Sequence, residues 1–126
     1  MNLHPYQYVT LRCVPRVDRE EFLNVGIVLY SQSVDFLDAA FGLDEARLRA
    51  VAPDLDLGSV HDVLDTVCRI CRGEHGRGLP DLGSLGRRFG WLSAPRSTVV
   101  QPGPVHGGLT ADPAAELQRL LHRLVS

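Results

Sequence analysis

Lysine is absent from this chain: all thirteen of its basic side chains are arginine. Base composition of the coding sequence is the simplest account of that bias, so no function is read from it. Cysteine is scarce too. Three in 126 residues are too few and too unevenly spaced for a disulfide framework. No apolar run approaches the roughly 20 residues of a membrane-spanning helix, because Asn24, Asp35, Asp38 and the many arginines interrupt each candidate. The opening Met1-Asn2-Leu3-His4-Pro5 lacks the basic and then apolar pattern of a secretory leader, and the expectation is a soluble cytoplasmic protein. Familiar catalytic signatures are also missing: no Ser-His-Asp order, paired carboxylate motif, P-loop or dinucleotide fingerprint is present. Gly83 and Gly86 follow no strand of the kind a phosphate loop requires. The sequence offers no support for an enzyme and implies no cofactor.

What is present suits one compact domain over 1–126. The composition is 44% hydrophobic, enough for a core without disulfides or metal. The net charge of −2 is unevenly distributed. Residues 1–68 carry five arginines against eleven acids, whereas 69–96 carry six arginines against two acids. Such a division either steers an anion or a partner or cancels within the fold, if the basic stretch packs beside the acidic one.

Alternation of Val9, Leu11 and Cys13 with Tyr8, Thr10 and Arg12 predicts a first strand over 6–15. In the second, Leu23, Val25, Ile27 and Leu29 fall on one face, with Phe22, Val28 and Tyr30 on the other. A strand apolar on both faces is central and covered twice. Ser31-Gln32-Ser33 reads as a turn into a third strand, Val34 to Phe41. Asp44 caps a short helix that Pro53 ends. Ser59 and Asp62 suggest a capping box for a helix striped by Val60, Val63, Leu64, Val67, Cys68 and Cys71, with Gly73 closing it. Residues 73–90 hold six glycines and are expected to be the mobile segment, with a short helix near Leu82–Phe89. Residues 94–108 suggest an extended strand and turn. Asp112 and Pro113 start a last helix with Leu117, Leu120, Leu121, Leu124 and Val125 on its apolar face. The sum is an α+β fold: a small antiparallel sheet, made of a three-stranded N-terminal meander open to extension by a later strand, packed with two main helices.

Three groups invite a chemical reading. Cys68 and Cys71, at i and i+3 with His75 beyond, share a helical face that suits a metal. A fourth ligand is lacking, however, and the negative end of a helix disfavours the thiolate of a redox pair. Buried structural cysteines are the expectation, and no metal site is assigned. Arg96, after Pro95 and before Ser97 and Thr98, has the donors to hold a phosphate or carboxylate bidentately, with Arg87 and Arg88 near enough in sequence to join it. Alternatively, Arg96 pairs with an acid such as Asp112 and fixes a long loop. Asn24 and Gly26 interrupt an apolar strand, which calls for a loop hydrogen bond at the first and a bulge or close backbone approach at the second.

The pairing of Tyr6-Gln7-Tyr8 with Glu21-Phe22-Leu23-Asn24-Val25-Gly26-Ile27-Val28-Leu29-Tyr30, together with Leu92-Ser93-Ala94-Pro95-Arg96-Ser97 and Asp112-Pro113-Ala114-Ala115-Glu116-Leu117, resembles the small bacterial family called domain of unknown function 3037. The matched motifs stand in order at both ends, with Phe22, Asn24, Gly26, Pro95 and Arg96 on the recurring positions. The resemblance implies a small protein with no assigned catalytic residue, often encoded beside a kinase-like protein resembling the HipA toxin family. Two functions therefore lead. One is a non-catalytic accessory or adaptor binding a protein partner, such as a HipA-like kinase. The other is a binder of a small anionic ligand, a nucleotide or phosphorylated metabolite, through Arg96, Ser97, Arg87 and Arg88, with enzymatic action left open. Nucleic acid ranks lower, because the basic stretch offers only Phe89 and Trp91 for stacking.

Overall fold

The computed structural model describes residues 2–96 and 98–125. The N-terminal meander comprises β1 (His4–Cys13), β2 (Leu23–Ser31) and β3 (Phe36–Phe41). Two later strands, β4 (Val100–Pro102) and β5 (His106–Thr110), lie end to end along the outer edge of β1. All pairings are antiparallel, and the order is β3-β2-β1 followed by the β4/β5 edge. Four α-helices stand among the described residues: α1 (Glu45–Val51), α2 (Leu57–Cys71), α3 (Leu85–Ser93) and α4 (Pro113–Leu124). Five strands and four helices correct the expectation of a three-stranded meander with two main helices. The α+β class stands.

The correction has local causes. In α3, Gly86 and Gly90 lower helix propensity, but Ser84 accepts the Arg87 amide at 3.2 Å and Phe89 and Leu92 are buried, so tertiary packing overrides composition. The short helix expected near Leu82–Phe89 is α3, which runs on to Ser93. β5, His-Gly-Gly-Leu-Thr, has no strand propensity worth reading and forms because β1 templates it. Helix α2 begins earlier than the Ser59/Asp62 box suggests: Asp56 is the N-cap, accepting from the Ser59 amide at 3.2 Å and the Ser59 hydroxyl at 2.7 Å. At its other end the Glu74 amide donates to Arg69 O and the Gly73 amide to Ile70 O. Gly73 sits at φ +72°, a left-handed closure that glycine alone adopts cheaply.

A register shift between Leu11 and Arg12 places an extra residue, Val25, in β2. This bulge changes the face assignment drawn from simple alternation. Leu23 and Val25 join Val28 and Tyr30 against α1–α3, while Ile27 and Leu29 face α4. The larger core gathers Val9, Leu11 and Cys13 with Leu48, Leu64, Val67, Ile70, Phe89 and Leu92. Burying a side chain such as Leu64 contributes about 1.5–3 kcal/mol. The smaller core joins Tyr6, Ile27 and Leu29 to Leu117, Leu120 and Val125. Among the described residues no helix is long and apolar enough to cross a membrane.

Candidate functional site

At the junction of α2, the end of α3 and β4 the larger core fails to close. A groove of about 550 Å³ opens there, floored by Leu11 and Val100 and walled by Val60, Val63 and Val67 of α2 and by Val99. Val63 and Val99 stand 45% and 43% exposed, so apolar walls face water. The strip bearing Val99 is held in shape: the Val14 amide donates to Val99 O at 2.6 Å, and the Thr98 hydroxyl donates to Val100 O at 2.7 Å. Asp56 and Ser59 reach one rim, but their polar atoms are engaged in capping α2.

Arg96 supplies the charge at the other rim. Ala94, extended at ψ 136° before Pro95, ends α3, and the chain doubles back so that the Arg96 guanidinium lies 4.4 Å from the centre of the Trp91 ring. One terminal nitrogen donates to Trp91 O, and Nε makes a long 3.4 Å contact with Ala94 O. Partial burial pulls the pKa of Arg96 down, the mark of a cation short of solvation. Among the described residues no carboxylate pairs with it. Asp112, the suggested partner, instead caps α4 by accepting the Ala115 amide at 3.2 Å.

The other arginines are not gathered here. Arg88 donates to Cys71 O at 2.9 Å and Gly83 O at 3.2 Å, tying α3 to the end of α2. Arg87 is exposed on α3, and neither residue lines the groove. Arg69 and Arg72 both pair with Glu74, at 3.1 and 2.8 Å, which neutralises part of the basic stretch. Ser97 lies outside the described residues.

Asn24, Gly26 and Phe22 have separate structural settings. Asn24 donates from Nδ2 to Leu124 O at 3.1 Å, satisfying a free carbonyl at the end of α4. A Cβ on Gly26 would meet Ala40 O at 3.0 Å and Leu11 at 3.3 Å, so the β2–β3 approach leaves little room for a side chain. Half-exposed Phe22 carries the Arg12 guanidinium 4.1 Å above its ring.

Cys68 and Cys71 are buried, and Cys68 Sγ points to Ala39 O at 3.8 Å. Burial pushes both thiols up, Cys71 to about 12, so they stay neutral. His75 is exposed, and among the described residues no three His, Cys, Asp or Glu side chains could hold a metal ion.

Sequence reasoning missed a polar clamp on the opposite face. Tyr6 donates to Glu116 at 2.5 Å, and Arg119 donates to the same carboxylate at 2.6 and 2.8 Å. Burial, then the Glu116 hydrogen bond, raises Tyr6 to about 12, while the Arg119 hydrogen bond lowers Glu116. A separation of 110 residues hides that pair from any local pattern. The groove was missed for the same reason, although Val63 stood within the α2 stripe and Val99 follows Thr98 in the segment read as extended.

Residues 8–125 match the profile of the family described as "Protein of unknown function (DUF3037)", and the chain belongs to that family. No curated protein matches it, and neither does any solved structure.

Proposed function

We propose that this member of the family is a non-catalytic accessory protein that binds a protein partner in the groove between α2, the end of α3 and β4. One observation carries the reading: half-exposed aliphatic walls at Val63 and Val99 stand beside Arg96, a partly desolvated cation without a carboxylate partner among the described residues. Burying those walls under one apolar side chain recovers transfer free energy, and a carboxylate from the same segment complements Arg96. The occupant is therefore a partner segment with an aliphatic or aromatic anchor and a neighbouring acid. The HipA-like kinase suggested by the family resemblance is the candidate partner, and a cytoplasmic location belongs to the same proposal.

Co-expression with such a kinase, followed by size exclusion, tests the reading. The wild-type chain is expected to co-elute with the kinase. Val63→Asp should abolish the complex and Arg96→Ala should weaken it, with thermal unfolding unchanged for Val63→Asp. A complex indifferent to Val63→Asp would remove the groove from the interface.

Arg96, without a carboxylate partner among the described residues, also favours a second reading, a small anionic ligand. With Arg87 and Arg88 away from the groove, one cation suits a single carboxylate on an apolar body better than a polyphosphate. Native mass spectrometry of the purified chain separates the two: a retained small mass lost in Arg96→Ala supports the ligand.

A further inference from the structure

Both edges of the sheet present strand backbone, but they are protected differently. Edge strand β3 carries Asp38 near its centre and is packed by α2 and α4. On the far side, the β4 half of the edge ends in Pro102, with Pro104 two residues on, and proline offers no amide to an incoming strand. The β5 half has no such defence. His106–Thr110 contains neither a formal charge nor a proline, and among the described residues it pairs with β1 alone. Among the described residues no backbone group outside the sheet bonds to it. Edges left this way recruit another strand.

Side chains around β5 reinforce the point. Leu109, on β5 itself, is 63% exposed, the highest value among the large apolar residues described, and Leu3 and Val105, each one residue before β1 and β5, are 52% and 47% exposed. Unpaired amides and carbonyls in an extended row accept only another extended backbone, and the pattern of β5 is compatible with its own copy. An antiparallel pairing about a two-fold axis at Gly108 sets each Leu109 across from Gly107 of the second copy, where no side chain obstructs it, and His106 across from Thr110. With no charged side chain in the strand, self-pairing brings no like charges together. The same operation on β3 would bring two copies of Asp38 close.

We infer that β5 is a self-association edge, through which two copies of this chain join their sheets into one continuous ten-stranded sheet with isologous two-fold symmetry. This goes beyond the partner groove, which lies at the β4 half of the edge. Five residues per strand bury little area, so the dimer is weak and forms with rising concentration.

Sedimentation velocity of the full chain from low to high micromolar concentration tests this, with hydrogen exchange at both ends of the range. Expected is a monomer-to-dimer shift accompanied by slowed exchange of amides within His106–Thr110 at high concentration. Leu109→Lys, at an exposed position, should weaken association by at least about tenfold, or about 1.4 kcal/mol, with an unchanged circular dichroism spectrum. Should that variant misfold, Val105→Lys serves in its place with the same expected loss. A chain that stays monomeric at the highest concentration overturns the inference. So does a dimer that survives Leu109→Lys with no added protection in β5, because it must use another face.

Discussion

On the α4 face, one helix lies along the sheet, and its six-residue buried cluster is sealed by a tyrosine–glutamate–arginine clamp. The opposite face buries fifteen residues under three helices, more than twice as many, yet there a groove stays open. The difference is geometric. A single helix of twelve residues can follow one line of strand side chains and close over it. Three helices of seven, fifteen and nine residues, entering from separate loops, leave a gap where their ends meet, and that gap collects Val63, Val99 and Arg96. A larger core is not a more complete one, and the candidate site sits where packing stops.

The largest test of this contrast is a pair of truncations. Leu64→Ala and Leu117→Ala, at fully or nearly fully buried positions on the two faces, should each cost about 2–5 kcal/mol in urea unfolding. Both should retain one cooperative transition, since β1 and β2 serve both cores. A separate early transition for α4 in Leu117→Ala would break the picture of faces coupled through shared strands.

Gly26→Ala is the next in size. The added methyl meets Ala40 O and Leu11 on the three-helix face, and overpacking of this kind costs about 1–3 kcal/mol. The same urea experiment reads it, and an unchanged midpoint would show that β3 can give way.

The smallest effect isolates the clamp. Tyr6→Phe should cost about 1 kcal/mol at neutral pH, because Glu116 keeps its Arg119 bonds. Its pH dependence is more specific. Tyr6 is raised from 10.0 to about 12 in the fold, so its stabilisation is complete below pH 10 and disappears as pH rises from 10 to about 12. Glu116 is lowered, so its contribution is present above the ordinary carboxylate range and is lost as pH falls through its folded value. Urea unfolding across alkaline pH should show a loss in the wild type that is reduced in Tyr6→Phe. Equal loss in both would assign the alkaline limb to other groups.

Much of this fold is legible along the chain. The meander follows from alternation in β1 and β2, and Asp44 and Asp112 mark helix starts through bonds spanning three residues. The bulge was foreshadowed by Gly26, but not its consequence, which exchanges the faces of Leu23 and Val25. Helix α3 and strand β5 were harder to read, because glycine argues against both and only the neighbours they pack on, Tyr30 against Phe89 and β1 against β5, supply the favourable terms. Of the candidate site, Arg96 was singled out by its position after Pro95. Its stacking on Trp91, the absence of Arg87 and Arg88 from its surroundings and the valine walls beside it were not visible.

By itself, the sequence determined the elements whose energetics are local: strand alternation, helix caps, a glycine closure, and an α+β composition with ample apolar content. Tertiary structure alone decided how many strands and helices complete the domain, which face each residue of β2 serves, and where the core remains open. Those outcomes depend on contacts such as Tyr6 with Glu116 and Asn24 with Leu124, each about a hundred residues apart. Their free energy exists only once distant segments share a surface, so no window along the chain contains it.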